Sequence, residues 1–253
     1  MAADIAGIHY LDASGPAGVA IYAIGDVHGR HDCLSEMHRL IEEETRAAPG
    51  TDWRIVHLGD YCDRGPDTRD VIDRLIRVTA ADRRVLALRG NHDQAFLQFL
   101  EGRGSPMLFV NFGGETTAQS YGIRADFSSP SALEDTRRRL NAAMPESHRE
   151  FLRSLPYAAT LGDFFFCHAG IQPEVPLDRQ DHETLLWIRD EFLEWPLLHP
   201  KLIVHGHTPV PQPEVKSNRV DVDTMAFHTG RLTALVIEGN EKRFLTAACS
   251  RGW

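Results

Sequence analysis

The chain reads as an α/β protein of two facing mixed β-sheets with helices outside. Three features of the sequence predict this. Three apolar runs, each closed by a glycine-containing polar motif and then a helical pattern, follow one another in the N-terminal part. A polar, helix-patterned stretch then interrupts the order, and from residue 157 onward short strand-like runs dominate. Successive strand–helix units imply right-handed crossovers and therefore parallel strands. The β-rich remainder supplies the partner sheet.

Residues 19–25 form the first expected strand, and their unbroken apolar character predicts burial on both faces. A helix follows, with Asp32 as its expected N-cap and Leu34, Met37, Leu40 and Ile41 on one face. The second strand covers 54–58, and Asp67 is the expected cap of a helix carrying Val71, Ile72, Leu75 and Ile76. The third covers 84–88, before a helix with Ala95, Phe96, Phe99 and Leu100. The section at about 102–156 opens on Gly102-Arg103-Gly104-Ser105-Pro106 and then turns helical around 133–140 and 146–155. It is expected to be an insertion beside the site, not an independent domain. A hairpin over 157–161 and 164–167 comes next, then strands at 201–205, 219–223, 231–238 and 242–248. With no internal repeat, residues 1–253 are expected to form a single domain with a short extension at 1–18.

A net charge of −9 argues against a general nucleic-acid or anionic-membrane binder. It does not constrain the site itself, where bound cations would reverse the local sign. No apolar stretch approaches the roughly 18 residues that a membrane span requires. Residues 1–18 lack the basic and apolar regions of a secretory signal. The four cysteines, Cys33, Cys62, Cys167 and Cys249, lie far apart without a C-x-x-C pair, which predicts a reduced, cytoplasmic protein. Cys62 and Cys167 are expected to be small buried residues at strand ends.

Five motifs carry the chemistry: Gly25-Asp26-Val27-His28-Gly29, Gly59-Asp60-Tyr61-Cys62-Asp63-Arg64-Gly65, Arg89-Gly90-Asn91-His92-Asp93, His168-Ala169-Gly170 and His205-Gly206-His207-Thr208. The first three fall at C-terminal strand ends, where ligands gather in parallel sheets. Asp26 and His28 sit two apart just past a strand, so one turn can aim both at one ion. Asp60 follows the neighbouring strand, and its two oxygens make it the natural bridge between two cations. A lone Asp-x-His would suit a turn hydrogen bond, but five such motifs in this order call for two metals. Mixed nitrogen and oxygen donors suit manganese, iron or zinc better than calcium or magnesium.

The order and spelling of these motifs resemble those of the calcineurin-like metallophosphoesterases, and among them the bacterial phosphoprotein phosphatases. The resemblance covers roughly residues 20–240. It implies a metallophosphoesterase sandwich with one metal on Asp26, His28 and Asp60 and a second on Asp60, Asn91, His168 and His207. The pair would be two divalent or transition metal ions, manganese first with iron or zinc as alternatives, supplying a bridging hydroxide at neutral pH. His92, oriented by Asp63, is then the general acid. Arg64 and Arg189 are expected to grip phosphate oxygens, while Arg89 braces the loops through ion pairs. Pro209 stands where many members carry a further histidine, so His205 is left as an outer-shell or strand residue. In Asp223-Thr224-Met225-Ala226-Phe227-His228-Thr229-Gly230, His228 occupies the place of a tyrosine and is a candidate substrate contact. The implied activity is hydrolysis of phosphomonoesters by a serine/threonine-type protein phosphatase, with a phosphorylated protein or small phosphoester as its partner. A diadenosine tetraphosphate hydrolase is the alternative, although such relatives often lack the Asp-Arg pair kept here as Asp63-Arg64. A silent binding scaffold is the remaining reading, and the complete ligand set argues against it.

Overall fold

A computed structural model describes residues 7–250. Strand β1 (Val19–Ile24) is covered on both sides. Ala20, Tyr22 and Ile24 face helices, while Ile21 and Ala23 face a second sheet. Helix α1 (His31–Ala47) lies on the helical side and buries Cys33, Leu34, Met37 and Ile41. Its N-cap is Arg30, not the expected Asp32. Asp32 sits inside the first turn, where its carboxylate is drawn to the Arg30 guanidinium at 2.8 and 2.9 Å. Strand β2 (Asp52–His57) and helix α2 (Thr68–Ala81) follow; Asp67 does occupy the cap position of α2, but its side chain makes no capping bond. Strand β3 (Val85–Ala87) and helix α3 (Asn91–Leu100) complete the third unit. The parallel pairings set Ile24 opposite His57 and His57 opposite Ala87. The three strands therefore end level, and Asp26, Asp60 and Asn91 emerge along one edge.

Residues 106–154 hold helices α4 (Pro106–Asn111), α5 (Gly114–Ser120), α6 (Pro130–Ala143) and α7 (Glu146–Ser154). Phe109 anchors them by stacking on Phe99 at 4.4 Å and Phe96 at 5.3 Å. Arg89 ties the end of β3 to α7, but through carbonyls where ion pairs were expected. Its guanidinium donates to the oxygens of Leu152 and Arg153 at 2.8 and 2.9 Å and to Gln94 Oε1 at 2.6 Å. Charged donors on buried carbonyls are worth more than neutral ones, so Arg89→Met should lower stability by about 3 kcal/mol. The urea midpoint should fall with its slope unchanged.

Strands β4 (Ala158–Leu161) and β5 (Phe164–Cys167) form the expected hairpin. After the short helices α8 (His182–Trp187) and α9 (Asp190–Leu193), strand β6 (Leu202–His205) pairs parallel with β5. Strand β7 (Glu214–Val215), only two residues long and absent from the sequence reading, edges β8 (Arg219–Asp221), itself parallel to β6. The single turn α10 (Ala226–Thr229) then leads to β9 (Arg231–Glu238) and β10 (Glu241–Ala248). These return to the first sheet, with β9 antiparallel to β1. The result is two mixed five-stranded sheets, ordered β10-β9-β1-β2-β3 and β4-β5-β6-β8-β7. Ile21, Val56, Leu58, Phe164, Phe166, Val204, Val222 and Leu235 fill the space between them. Among the described residues no helix is long and apolar enough to cross a membrane.

The expectation of four unpaired cysteines needs correction. Cys33 and Cys249 form a disulfide, with Cα atoms 5.4 Å apart across 216 residues of sequence. The reason is topological: β10 runs back along the first sheet and delivers its end to the first turn of α1. Cysteine spacing therefore does not support the inference of a reduced, cytoplasmic setting. Cys62 and Cys167 are free and buried, and burial pushes both thiols up.

Candidate metal centre and active site

The first, second and last motifs place functional side chains on sharp turns past strands. His28, Asp60, Asp63, Arg64 and His207 all have positive φ, between 44° and 67°, a region that non-glycine residues rarely adopt. Backbone strain gathered at so many polar residues of one edge marks a site that its surroundings force into shape. Glycine permits the close approaches. A Cβ on Gly90 would strike Asp60, and one on Gly206 would strike the Asp26 carboxylate.

Asp60 is central. Its Oδ2 lies 3.4 Å from His28 Nε2, and its Oδ1 lies 3.4 Å from His168 Nε2. His28 Nδ1 is 2.9 Å from the Cys62 carbonyl and His168 Nδ1 is 3.0 Å from that of Leu58, so both Nδ1 atoms donate. Their Nε2 lone pairs are thereby left facing oxygen. His168 Nε2 meets Asn91 Oδ1 at 2.7 Å, and His207 Nδ1 lies 3.0 Å from the same oxygen. Nε2 of both His28 and His207 is buried without a hydrogen-bond partner. Lone pairs converging with no proton between them form an arrangement that a cation reconciles.

The electrostatics agree. Asp26 is raised well above the usual carboxylate range by burial, then by the charges of Asp223 and Asp60. Asp223 is pushed up to about 6, mainly by burial. Asp60 also suffers burial, but the surrounding histidines outweigh it and bring it below the ordinary value. His28 and His168 are lowered chiefly by burial, which keeps them neutral and ligand-competent. Asp26, Asp60 and His168 could hold one ion, while His28 and Asp60 approach a second position beside His92. Buried, adjacent carboxylates need such positive charge.

His92 lies at the edge of this cluster, its Nε2 3.8 Å from Asp60 Oδ2 and its Nδ1 2.8 Å from Asp63 Oδ2. Burial pulls the imidazole down, but the Asp60 charge and the Asp63 hydrogen bond raise it above the ordinary histidine value. Asp63 is itself fixed by α5, since Thr117 Oγ1 donates to Asp63 Oδ1 at 2.6 Å. The Arg64 guanidinium reaches within 3.3 Å of His92 Nε2 and lies over the Phe227 ring at 4.7 Å. Arg189 is exposed at the rim, 3.5 Å from Thr208 Oγ1. His228 is not brought into the cluster. The single turn of α10 aims Phe227 at His28, ring to ring at 5.5 Å, and leaves His228 exposed. His205 packs edge-on against Phe192, away from the cluster, and is held down to about 3 by burial.

Sequence reading missed three contributors, Asp93, Trp187 and Phe227, and left Phe112 open between a substrate groove and the core. Asp93 accepts from the backbone N–H groups of Asp60, Tyr61 and Gly90, each at 2.9 Å, and so pins two motif loops together. A carboxylate three residues past a glycine cap is the capping-box signal that could have found it. Phe112 tilts over His92 at 4.4 Å, Trp187 stands edge-on to His207 at 6.3 Å, and Phe227 completes an aromatic rim. No local pattern separates these from core aromatics.

Two mixed sheets carrying this carboxylate–imidazole–amide cluster on their shared edge define a metal-dependent phosphoesterase. The family model for calcineurin-like phosphoesterases matches residues 19–237, and the chain belongs to that family. It is 27% identical to a bis(5'-nucleosyl)-tetraphosphatase PrpE [asymmetrical] of Bacillus thuringiensis, over 84% of this chain and 88% of that one. A crystal structure of a candidate diadenosine tetraphosphatase superposes with a TM-score of 0.64 at 19% identity, covering 95% and 99% of the two chains. A protein serine/threonine phosphatase of Saccharomyces cerevisiae gives 0.55 at 14% identity, covering 96% and 87%.

Proposed function

We propose that this phosphoesterase hydrolyses dinucleoside polyphosphates, cleaving an asymmetrical bond in the phosphate bridge. One observation carries the choice of substrate: the likeness to a named tetraphosphatase extends over 84% of the chain. The aromatic rim of Phe112, Trp187 and Phe227 also suits a substrate that bears planar rings. Both observations support the dinucleotide over the phosphoprotein that the motif resemblance favoured. A protein phosphatase remains the second reading, and the intact Asp63-Arg64 pair is the feature that favours it.

In this reading, which follows the motif resemblance, Asp26, His28 and Asp60 would hold one cation and Asp60, Asn91, His168 and His207 the other, whereas the side chains themselves group as Asp26, Asp60 and His168 and as His28, Asp60 and His92. Manganese is the first choice, with iron or zinc as alternatives; when bound, the pair would supply Lewis acidity toward water and the phosphate oxygens. A bond forms from water oxygen to phosphorus, the anhydride P–O bond breaks, and the leaving oxygen takes a proton. His92 is the donor, with Asp63 holding Nδ1 so that Nε2 faces the reacting centre. Arg64 and Arg189 hold the non-bridging oxygens. If Arg189 grips with a planar fork, Arg189→Lys should lower kcat/KM by about tenfold despite the retained charge, and inorganic phosphate should inhibit the variant less. Unchanged kinetics and inhibition would return Arg189 to the surface.

The test is a comparison of kcat/KM for diadenosine tetraphosphate, a phosphoserine peptide and a phosphotyrosine peptide in the presence of manganese. The dinucleotide should lead by at least about tenfold, a gap that needs only about 1.4 kcal/mol of differential transition-state binding. Peptides hydrolysed as well or better would overturn the reading in favour of a protein phosphatase.

A further inference from the structure

Beside the acid lies a cleft of about 220 Å³, lined by Gln94, Gln98, Leu108, Glu183 and Trp187. Its geometry follows from helix spacing. Gln94 and Gln98 stand four residues apart on α3, the helix whose first turn carries Asn91 and His92. Glu183 and Trp187 stand four apart on α8, so each pair shares a face. Leu108 of α4 adds an aliphatic surface. All but Glu183 are half-buried, and Glu183 is exposed. A chain of ring contacts joins the cleft to the chemistry: Phe112 lies 4.4 Å from His92, and Trp187 lies 5.6 Å from Phe112. Gln94 has its amide oxygen held by Arg89 at 2.6 Å, so its N–H groups are the ones available to a ligand.

We infer that this cleft is a nucleobase subsite, which rests on the dinucleoside polyphosphate reading. Asymmetrical cleavage leaves one nucleoside a single phosphate from the broken bond. The acid protonates the leaving oxygen, so whatever the leaving group carries lies on the His92 side, where Phe112 and Trp187 continue toward the cleft. A base stacks on Trp187, with Leu108 as an apolar contact. A Gln94 N–H, the Gln98 amide and the Glu183 carboxylate meet its polar edge, and Gln98, whose amide can both accept and donate, suits the bidentate glutamine–adenine pairing. The volume accommodates one planar ring system.

The test uses the whole metal-loaded protein with two variants, Leu108→Trp to fill the cleft and Gln98→Ala to remove an edge contact from a half-exposed position. The substrates are diadenosine tetraphosphate and inorganic tripolyphosphate, an anhydride without a base. Leu108→Trp should raise KM for the dinucleotide by about 10- to 100-fold, the range expected when base stacking is lost. The ratio of the two kcat/KM values should fall by a similar factor, and less steeply in Gln98→Ala. Adenosine monophosphate should inhibit the wild type more tightly than ribose 5-phosphate, and this advantage should vanish in Leu108→Trp. If the wild type favours the dinucleotide over phosphopeptides while both variants keep the ratio and the inhibitor preference, the subsite is overturned and the substrate reading stands. If the wild type does not favour the dinucleotide, the substrate reading fails and the subsite falls with it.

Discussion

Asp60→Asn is expected to reduce hydrolysis by about 10³-fold or more and to weaken metal retention at two positions together. The carboxylate directs one oxygen toward His28 and the other toward His168, at 3.4 Å each. No other described side chain faces both halves of the cluster in this way. An amide keeps the size but removes the charge and leaves only one good donor oxygen. Losing several kcal/mol of Lewis-acid stabilisation corresponds to a drop of this order. Exhaustive chelation should likewise abolish hydrolysis of a simple aryl phosphate, with manganese restoring it. Metal content by elemental analysis provides a readout independent of turnover. An Asp60→Asn protein with two ions per chain and ordinary kcat would refute the bridging role.

His92→Ala should lower kcat by about 10²–10⁴ toward an alkyl phosphoester while leaving metal content close to normal. The imidazole contacts Asp63 at 2.8 Å and Asp60 only at 3.8 Å, which is the geometry of an oriented proton donor. The deficit should shrink for nitrophenyl phosphate and for a phosphoanhydride, whose leaving oxygens need less protonation. Because Asp63 helps to raise the His92 pKa, Asp63→Asn should move the basic limb of the kcat profile to lower pH, where the weakened imidazolium now loses its proton. Equal deficits for all leaving groups, or an unmoved limb, would make His92 a positioning residue.

Much of the site was legible because its chemistry requires particular residue types at turns immediately after strands. Asp26, His28, Asp60, Asn91 and His207 stand directly beside glycines and His168 two residues before one, and the folded chain brings them into one cluster. The strand runs were legible for a related reason: Val19–Ile24 and Phe164–Cys167 are apolar throughout because both faces are covered. What escaped was long-range. Asp32 looks like a cap but lies beside an arginine that draws its carboxylate away. Cys33 and Cys249 look unpaired because a separation of 216 residues says nothing about distance. Phe109 and Phe112, three residues apart, look alike in sequence, yet one is sealed in the core and the other lies over His92.

The sequence by itself determined the two-sheet architecture, the family and which polar side chains stand at the ends of the strands. Periodicity and polar residues beside glycines are local properties, and a single chain displays them directly. Only the tertiary structure decided which neighbours surround those side chains. Packing α5 against the second motif loop brings Thr117 onto Asp63. The single turn after Met225 presents Phe227 in place of His228. The meeting of α3, α4 and α8 opens a cleft lined by Gln94, Gln98, Leu108, Glu183 and Trp187. Each of these depends on the relative placement of segments far apart in the chain, which no local spacing encodes.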